Sequence, residues 1–208
     1  MQSSVKHHQI FSKYLPEEYV DYVVDLYLKE TVHFKIVKPR KTKLGDFRAG
    51  NKNEKHQITI NNNLNKFSFL ITTLHEFAHL TTYNLYGGRI APHGKEWQKE
   101  YTRLIYPIIE QNKLPKDIET ALLESLVSVK ASSCSDIGLQ RILITYNSIN
   151  HGCIALEELD KNSIFALNDI QFKKGNLRRT RFLCEKIGSN KEYLVHALAQ
   201  VKEIKNEK

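Results

Sequence analysis

Cysteine is scarce in this chain of 208 residues. Cys134, Cys153 and Cys184 are odd in number, widely spaced and without a CxxC pair. That argues against a disulfide scaffold and favours a cytoplasmic address. No apolar run reaches the roughly 18 residues a membrane span needs, so no membrane partner is expected. The opening MQSSVKHHQIFSKYL holds neither a continuous apolar stretch nor a cleavage site, which argues against secretion. No internal repeat is present. Acidic residues are in deficit too, 23 against 31 Lys and Arg, leaving a net charge of +8.

That excess is concentrated. Residues 35–55 hold eight Lys or Arg against Asp46 and Glu54, and residues 173–191 hold seven against Glu185. Each block carries +6, and the remainder sums to −4. Two basic blocks on a less basic body suit a polyanion surface, and equally suit simple solubility. The length fits one large domain or a domain with a small appendage. An apolar fraction of 41%, with ten Tyr and nine Phe, can supply its core.

The periodicity predicts a helix over Leu15–Lys29, with Pro16 in its first turn and a stripe of Val20, Val23, Val24, Tyr27 and Leu28. Alternation predicts strands over Val32–Val37, Leu44–Arg48 and Gln57–Asn61. A long helix follows over Leu64–Tyr86, capped by Asn63 or Asn65 and stopped at Gly87-Gly88. Pro92-His93-Gly94 opens another helix, which runs to about Tyr106 and meets Pro107 as a kink or stop. A further helix follows Pro115. The Ser132–Ser135 stretch reads as a junction, and Ile137–Tyr146 fits helix or strand. Ser163–Phe172, Thr180–Lys186 and Glu192–His196 read as antiparallel strands, joined at Lys174-Gly175-Asn176 and Gly188-Ser189-Asn190. The last eight residues read as a frayed end.

The chemistry lies in His75-Glu76-Phe77-Ala78-His79, inside the long helix. Residues four apart share a helix face, so His75 and His79 can present two imidazoles to one ion. Glu76 is rotated off that pair but stays beside the ion's open side, where a carboxylate can take a proton from water. His93 follows His79 by fourteen residues, beyond a helix break, and can return a third imidazole. Three neutral histidines around one zinc ion leave a fourth position open, the layout of a catalytic site. His75 or His79 alone reads as a satisfied core histidine, Glu76 alone as a surface acid, and His93 alone as part of a helix-starting turn. The set of four reads as a site, because unpaired polar burial is expensive. Tyr83, Tyr86 and Tyr101 are candidate donors to an oxyanion, and spacing does not choose among them.

The stretch Leu44–Tyr101 resembles the SprT-like metallopeptidase family, which includes the vertebrate protease Spartan. The matching pieces are Gly45 with Arg48, the strand His56–Asn61, His75-Glu76-Phe77-Ala78-His79, and His93-Gly94-Lys95-Glu96-Trp97. The resemblance extends over roughly residues 10–110. It implies an α+β fold with a zincin-like core, a small antiparallel sheet and the motif helix over 1–131. A small, basic and mainly antiparallel β region would follow over 132–208. It implies zinc ligation by His75, His79 and His93, acid–base catalysis by Glu76, and hydrolysis of peptide bonds in a protein or peptide substrate. Some members carry a C-terminal zinc ribbon on paired CxxC units, which the three cysteines here cannot build. The tail resembles the shorter region of bacterial SprT-like proteins, so no second zinc is expected.

Spartan-type members cut proteins crosslinked or tightly bound to DNA. By that resemblance a nucleic-acid partner, single-stranded DNA especially, is expected, with a nucleoid-associated address open. The candidate contacts are Lys38, Arg40, Lys41, Lys43 and Arg48 in the first block and Lys173, Lys174, Arg178, Arg179 and Arg181 in the second. Phe172 and Phe182 read as core or as base-stacking residues. Three competing readings stay open at this point: a nucleic-acid-binding protein with a structural or vestigial metal site, a zinc hydrolase of a non-peptide bond, and a metal-free structural protein.

Overall fold

Strands form where alternation predicts them, at β1 (Val32–Val37), β2 (Gly45–Arg48) and β3 (His56–Asn61). The computed structural model describes residues 2–40, 42–51, 53–127, 136–147 and 152–204. Among these, two α-helices precede the strands, α1 (Gln2–Phe11) and α2 (Val20–Lys29), and four follow. They are α3 (Lys66–Tyr86), α4 (Lys95–Glu110), α5 (Lys116–Val127) and α6 (Ile137–Thr145). The fold is mixed α+β. The chain divides into two compact units, residues 1–147 and 148–208.

The first sheet has the order β1-β3-β2, with β3 parallel to β1 and antiparallel to β2. The expected all-antiparallel sheet is corrected to a mixed one. Alternation reveals a strand and its buried face but not its partner's direction, and here the last strand inserts between the first two. Ile58 and Ile60 of β3 are fully buried with Phe69, Leu70, Leu74 and Phe77 of α3, so the motif helix lies on the sheet. Asn65, one of the two expected caps, caps α3 by accepting the Ser68 N–H at 2.9 Å.

Three features of the first unit depart from the sequence reading. α1 was not expected, since its apolar content is sparse. Phe11 anchors it, 2% exposed, between Tyr27 and Phe34. α4 runs through Pro107 to Glu110. The proline ring supplies no N–H to that helix. Hydroxyls from the α2 region serve carbonyls on either side of it: Tyr22 donates to Leu104 at 2.8 Å and Tyr19 to Ile108 at 3.3 Å. Finally, the first unit extends beyond the expected boundary at residue 131. The Ser132–Ser135 junction lies outside the described residues, but α6 beyond it is a helix tied to the core. Asn65 Nδ2 donates to the Leu143 carbonyl at 2.8 Å, and the Tyr146 hydroxyl to Asp117 at 2.8 Å.

The second unit is an antiparallel sheet of β4 (Ile154–Ala155), β5 (Ile164–Leu167), β6 (Ile170–Arg178), β7 (Arg181–Lys186), β8 (Glu192–His196) and β9 (Gln200–Ile204). Their order is β4-β9-β5-β6-β7-β8, around Leu156, Phe165, Phe172, Cys184 and Val201. The expected frayed end is corrected over Val201–Ile204, which lies in β9. β9 pairs with both β4 and β5, and Val201 is 1% exposed. Residues 205–208 lie outside the described residues. The expected join at Lys174-Gly175-Asn176 is also corrected, because those residues lie inside β6 at a register shift. A Cβ at Gly175 would overlap the Leu183 carbonyl oxygen. Glycine there permits close strand approach rather than a turn.

Candidate metal centre

One turn of α3 separates His75 from His79 and sets their rings side by side, with Nε2 atoms 3.2 Å apart. α3 ends at Gly87, whose φ of 75° halts the helix. The chain then returns through a turn in which the Gly94 N–H donates to the Ala91 carbonyl at 3.0 Å. Pro92 and His93 are the turn's central residues, and His93 takes a φ of 60°. Positive φ is uncommon outside glycine, and histidine is among the residues that tolerate it. The result places His93 Nε2 3.0 Å from His79 Nε2 and 3.1 Å from His75 Nε2.

Three nitrogens about 2.0–2.1 Å from one tetrahedral zinc ion stand roughly 3.3–3.4 Å apart. The observed triangle is within a few tenths of an ångström of that, so the three residues fit a metal ion. Among the described residues no other group of His, Cys, Asp and Glu converges in this way. Burial favours the neutral imidazoles that ligation needs. It holds the His75 ring down at about 2, with the nearby His79 and His93 charges adding to the effect. Burial and then His93 hold His79 at about 4, and burial lowers His93. Trp97, 2% exposed, packs against all three rings at centroid distances of 4.7, 5.4 and 4.7 Å. Tyr101 stacks behind it at 4.9 Å.

Glu76 is 4% exposed and faces strand β2. Burial, and then the charge of Asp46, raise its carboxyl from 4.5 to about 8. The Phe47 N–H, Arg40 and Lys43 oppose that rise. Gly45 is what lets the strand pass so close. A Cβ there would stand 2.5 Å from Glu76 Oε1 and 2.8 Å from Thr72 Cγ2. The sequence singled out Gly45 only through family resemblance; the contact supplies its reason. Phe47, which no sequence signal marked, also lies parallel to the His79 ring at 6.4 Å.

A cavity of about 130 Å³ opens beside His79, His93 and Trp97. Tyr83 lines it. Tyr86 does not and is 44% exposed, while Tyr101 is 3% exposed, stacked on Trp97 and edge-on to the His75 ring at 6.0 Å. Of the three candidate tyrosines, Tyr83 alone is among the residues that line the cavity.

The basic candidates separate. Arg40 is committed to the fold: it donates to Asn61 Oδ1 and Thr59 Oγ1 at 2.9 Å each, and to the Thr59 and Leu44 carbonyls. Lys43 and Arg48 both hold Asp46, at 2.6 and 2.8 Å. Lys38 is exposed, and Lys41 lies outside the described residues. Lys174 is corrected outright. It is 4% exposed, its ammonium donates to the Glu157 and Leu159 carbonyls, and it sits 4.0 Å above the Phe182 ring. It cannot meet a phosphate. Lys173, Arg178, Arg179 and Arg181 are exposed, and Phe172 is core.

A family model described as the SprT-like family matches residues 12–117. No curated protein and no solved structure matches the chain.

Proposed function

This chain belongs to the SprT-like family, and from that premise we propose that it is a zinc-dependent endopeptidase with a zincin-like core. The observation that carries the proposal is the triangle of Nε2 atoms 3.0–3.2 Å apart beside a buried glutamate. His75, His79 and His93 would hold the ion. A zinc ion there would supply Lewis acidity, lowering the pKa of water and polarising a carbonyl. The charge of that ion would favour the ionised form of Glu76, which would accept the proton as water attacks the scissile carbonyl and then deliver it to the departing amine. The Phe47 N–H fixes its carboxylate through this cycle. Tyr83, the tyrosine that lines the cavity, is assigned as donor to the oxyanion.

A peptide rather than a small molecule is favoured by the open side of the site. Gly87, Gly88 and Ala91 at the cavity mouth are exposed. Strand β2 pairs only with β3 among the described residues, which leaves an edge where an extended peptide can add as a strand. No helix among the described residues is long and apolar enough to cross a membrane.

The proposal extends to substrates bound to nucleic acid, in a cytoplasmic setting. Arg178 and Arg181 lie directly opposite on β6 and β7, with Arg179 in the turn between them. Like charges facing across strands are destabilising. Among the described residues no carboxylate pairs with these three, so a phosphate backbone would relieve the repulsion. Lys38 and Lys173 remain as exposed accessory contacts.

Cleavage of casein or histone by the zinc-loaded chain, with and without single-stranded DNA, tests both parts. Glu76→Gln is expected to lower turnover on the order of 10²–10⁴-fold while zinc stays bound stoichiometrically. DNA is expected to accelerate histone cleavage. Equal activity of Glu76→Gln and wild type would refute the peptidase. DNA binding without any turnover would favour a binding module with a vestigial site.

A further inference from the structure

The cavity beside the metal centre is walled by Phe47, Tyr83, Ile90, Ala91, Pro92 and Trp97, together with Thr82, Gly87 and Gly88. No Asp, Glu, Lys or Arg lines it. Two of its walls are His79 and His93, so anything that fills it lies directly against the proposed point of hydrolysis. We infer that this cavity is a specificity pocket for one uncharged, leucine- to tyrosine-sized side chain flanking the scissile bond. This inference rests on the peptidase reading and goes beyond it by naming the substrate class.

Two observations carry it. The first is size. A volume of about 130 Å³ is close to that of an engineered protein cavity of roughly 150 Å³ known to take a benzene ring, so an isobutyl, thioether or phenyl group fills it. A methyl group would leave it mostly empty. The second is polarity. A charged side chain entering these walls would lose part of its hydration and meet no counter-charge, which is unfavourable.

The wall most open to redesign is Ile90. It lies in the segment between α3 and α4, outside any helix or strand, and is only partly buried.

The test uses capped hexapeptides of Gly, Ala and Ser with one variable central residue. Trp97 is the chain's single tryptophan and forms a pocket wall, so its emission reports occupancy directly. Zinc-loaded Glu76→Gln chain is titrated with each peptide, and wild-type chain is assayed on the same set by mass spectrometry. The expected result is half-saturation at least about tenfold lower for Leu, Met, Phe or Tyr than for Gly, Asp or Lys. Wild type should cleave beside the same residues. Ile90→Asp should keep stoichiometric zinc and move the preference toward Lys or Arg. Cleavage with no ranking among central residues overturns the pocket and leaves the peptidase standing. Absence of binding and cleavage for every peptide overturns both. A ranking unchanged in Ile90→Asp also overturns the pocket, because selectivity would then arise elsewhere.

Discussion

Two stretches of the chain, 35–55 and 173–191, carry the same charge of +6, and their cations face different partners. In the first, Arg40 straps β3 to the loop before β2, and Lys43 and Arg48 flank Asp46. Asp46 in turn raises the Glu76 carboxyl, which Arg40 and Lys43 counteract. These cations therefore set the potential at the site and hold the strand that covers Glu76. In the second stretch, Lys174 turns inward onto carbonyls, while Arg178, Arg179 and Arg181 crowd one hairpin end without carboxylate partners among the described residues. Net charge reports neither arrangement. What separates them is whether a carboxylate or an uncommitted carbonyl lies within reach.

The sharpest way to break this comparison lies at Gly45. Gly45→Val is expected to push Glu76 off its position and lower turnover on the order of 10²-fold or more, since small misplacements of a reacting group carry that penalty. Zinc content should be unchanged, because the three histidines come from α3 and the turn before α4. Wild-type turnover in this variant would mean that the β2 backbone does not position Glu76.

Next in size is the contrast between the arginines. Arg40→Ala removes several partly buried hydrogen bonds and is expected to destabilise the chain by about 2–3 kcal/mol, read by urea denaturation. Replacing Arg178, Arg179 and Arg181 together by Ala should shift stability by no more than about 0.5 kcal/mol per site. It should weaken single-stranded DNA binding and reduce the dependence of log K on log salt by roughly one per lost phosphate contact. A reversal, with the hairpin variant unfolding or Arg40→Ala losing only DNA, would dissolve the distinction.

A smaller effect is the acid–base profile of the metal-free chain. His75 falls from its ordinary 6.5 to about 2 in the fold, so its stabilising contribution is whole above 6.5 and is lost as pH falls below that value. Glu76 rises from 4.5 to about 8, so its contribution is whole below 4.5 and is lost as pH rises toward and through 8. Chelator-treated protein should therefore be most heat-stable between these limbs. Glu76→Gln should remove the alkaline limb and keep the acidic one, as thermal scans across pH would show.

Much of the site was legible because its signals are local. Four-residue spacing on a helix brings His75 and His79 together, and the Gly87-Gly88 break with Pro92 announces the return that carries His93. The helix cap was readable as Asn63 or Asn65, and the structure selects Asn65. What escaped depends on neighbours distant in sequence. Nothing in Gly45-Asp46-Phe47 states that this strand will pass over Glu76, or that it will be an edge. Lys174 looks like its exposed neighbour Lys173 until the register with Cys184 turns it inward. The actual β6–β7 turn, Arg179-Thr180, has no glycine, asparagine or proline; Arg179 takes a φ of 57° with no turn residue to announce it.

Anomalous diffraction at the zinc edge, from crystals of the purified chain, bears most directly on the metal centre. The expected result is one peak about 2.0–2.1 Å from Nε2 of His75, His79 and His93, with Glu76 beside its open side. A stoichiometric ion bound elsewhere, or a zinc-soaked crystal with no peak between the three rings, would contradict the account.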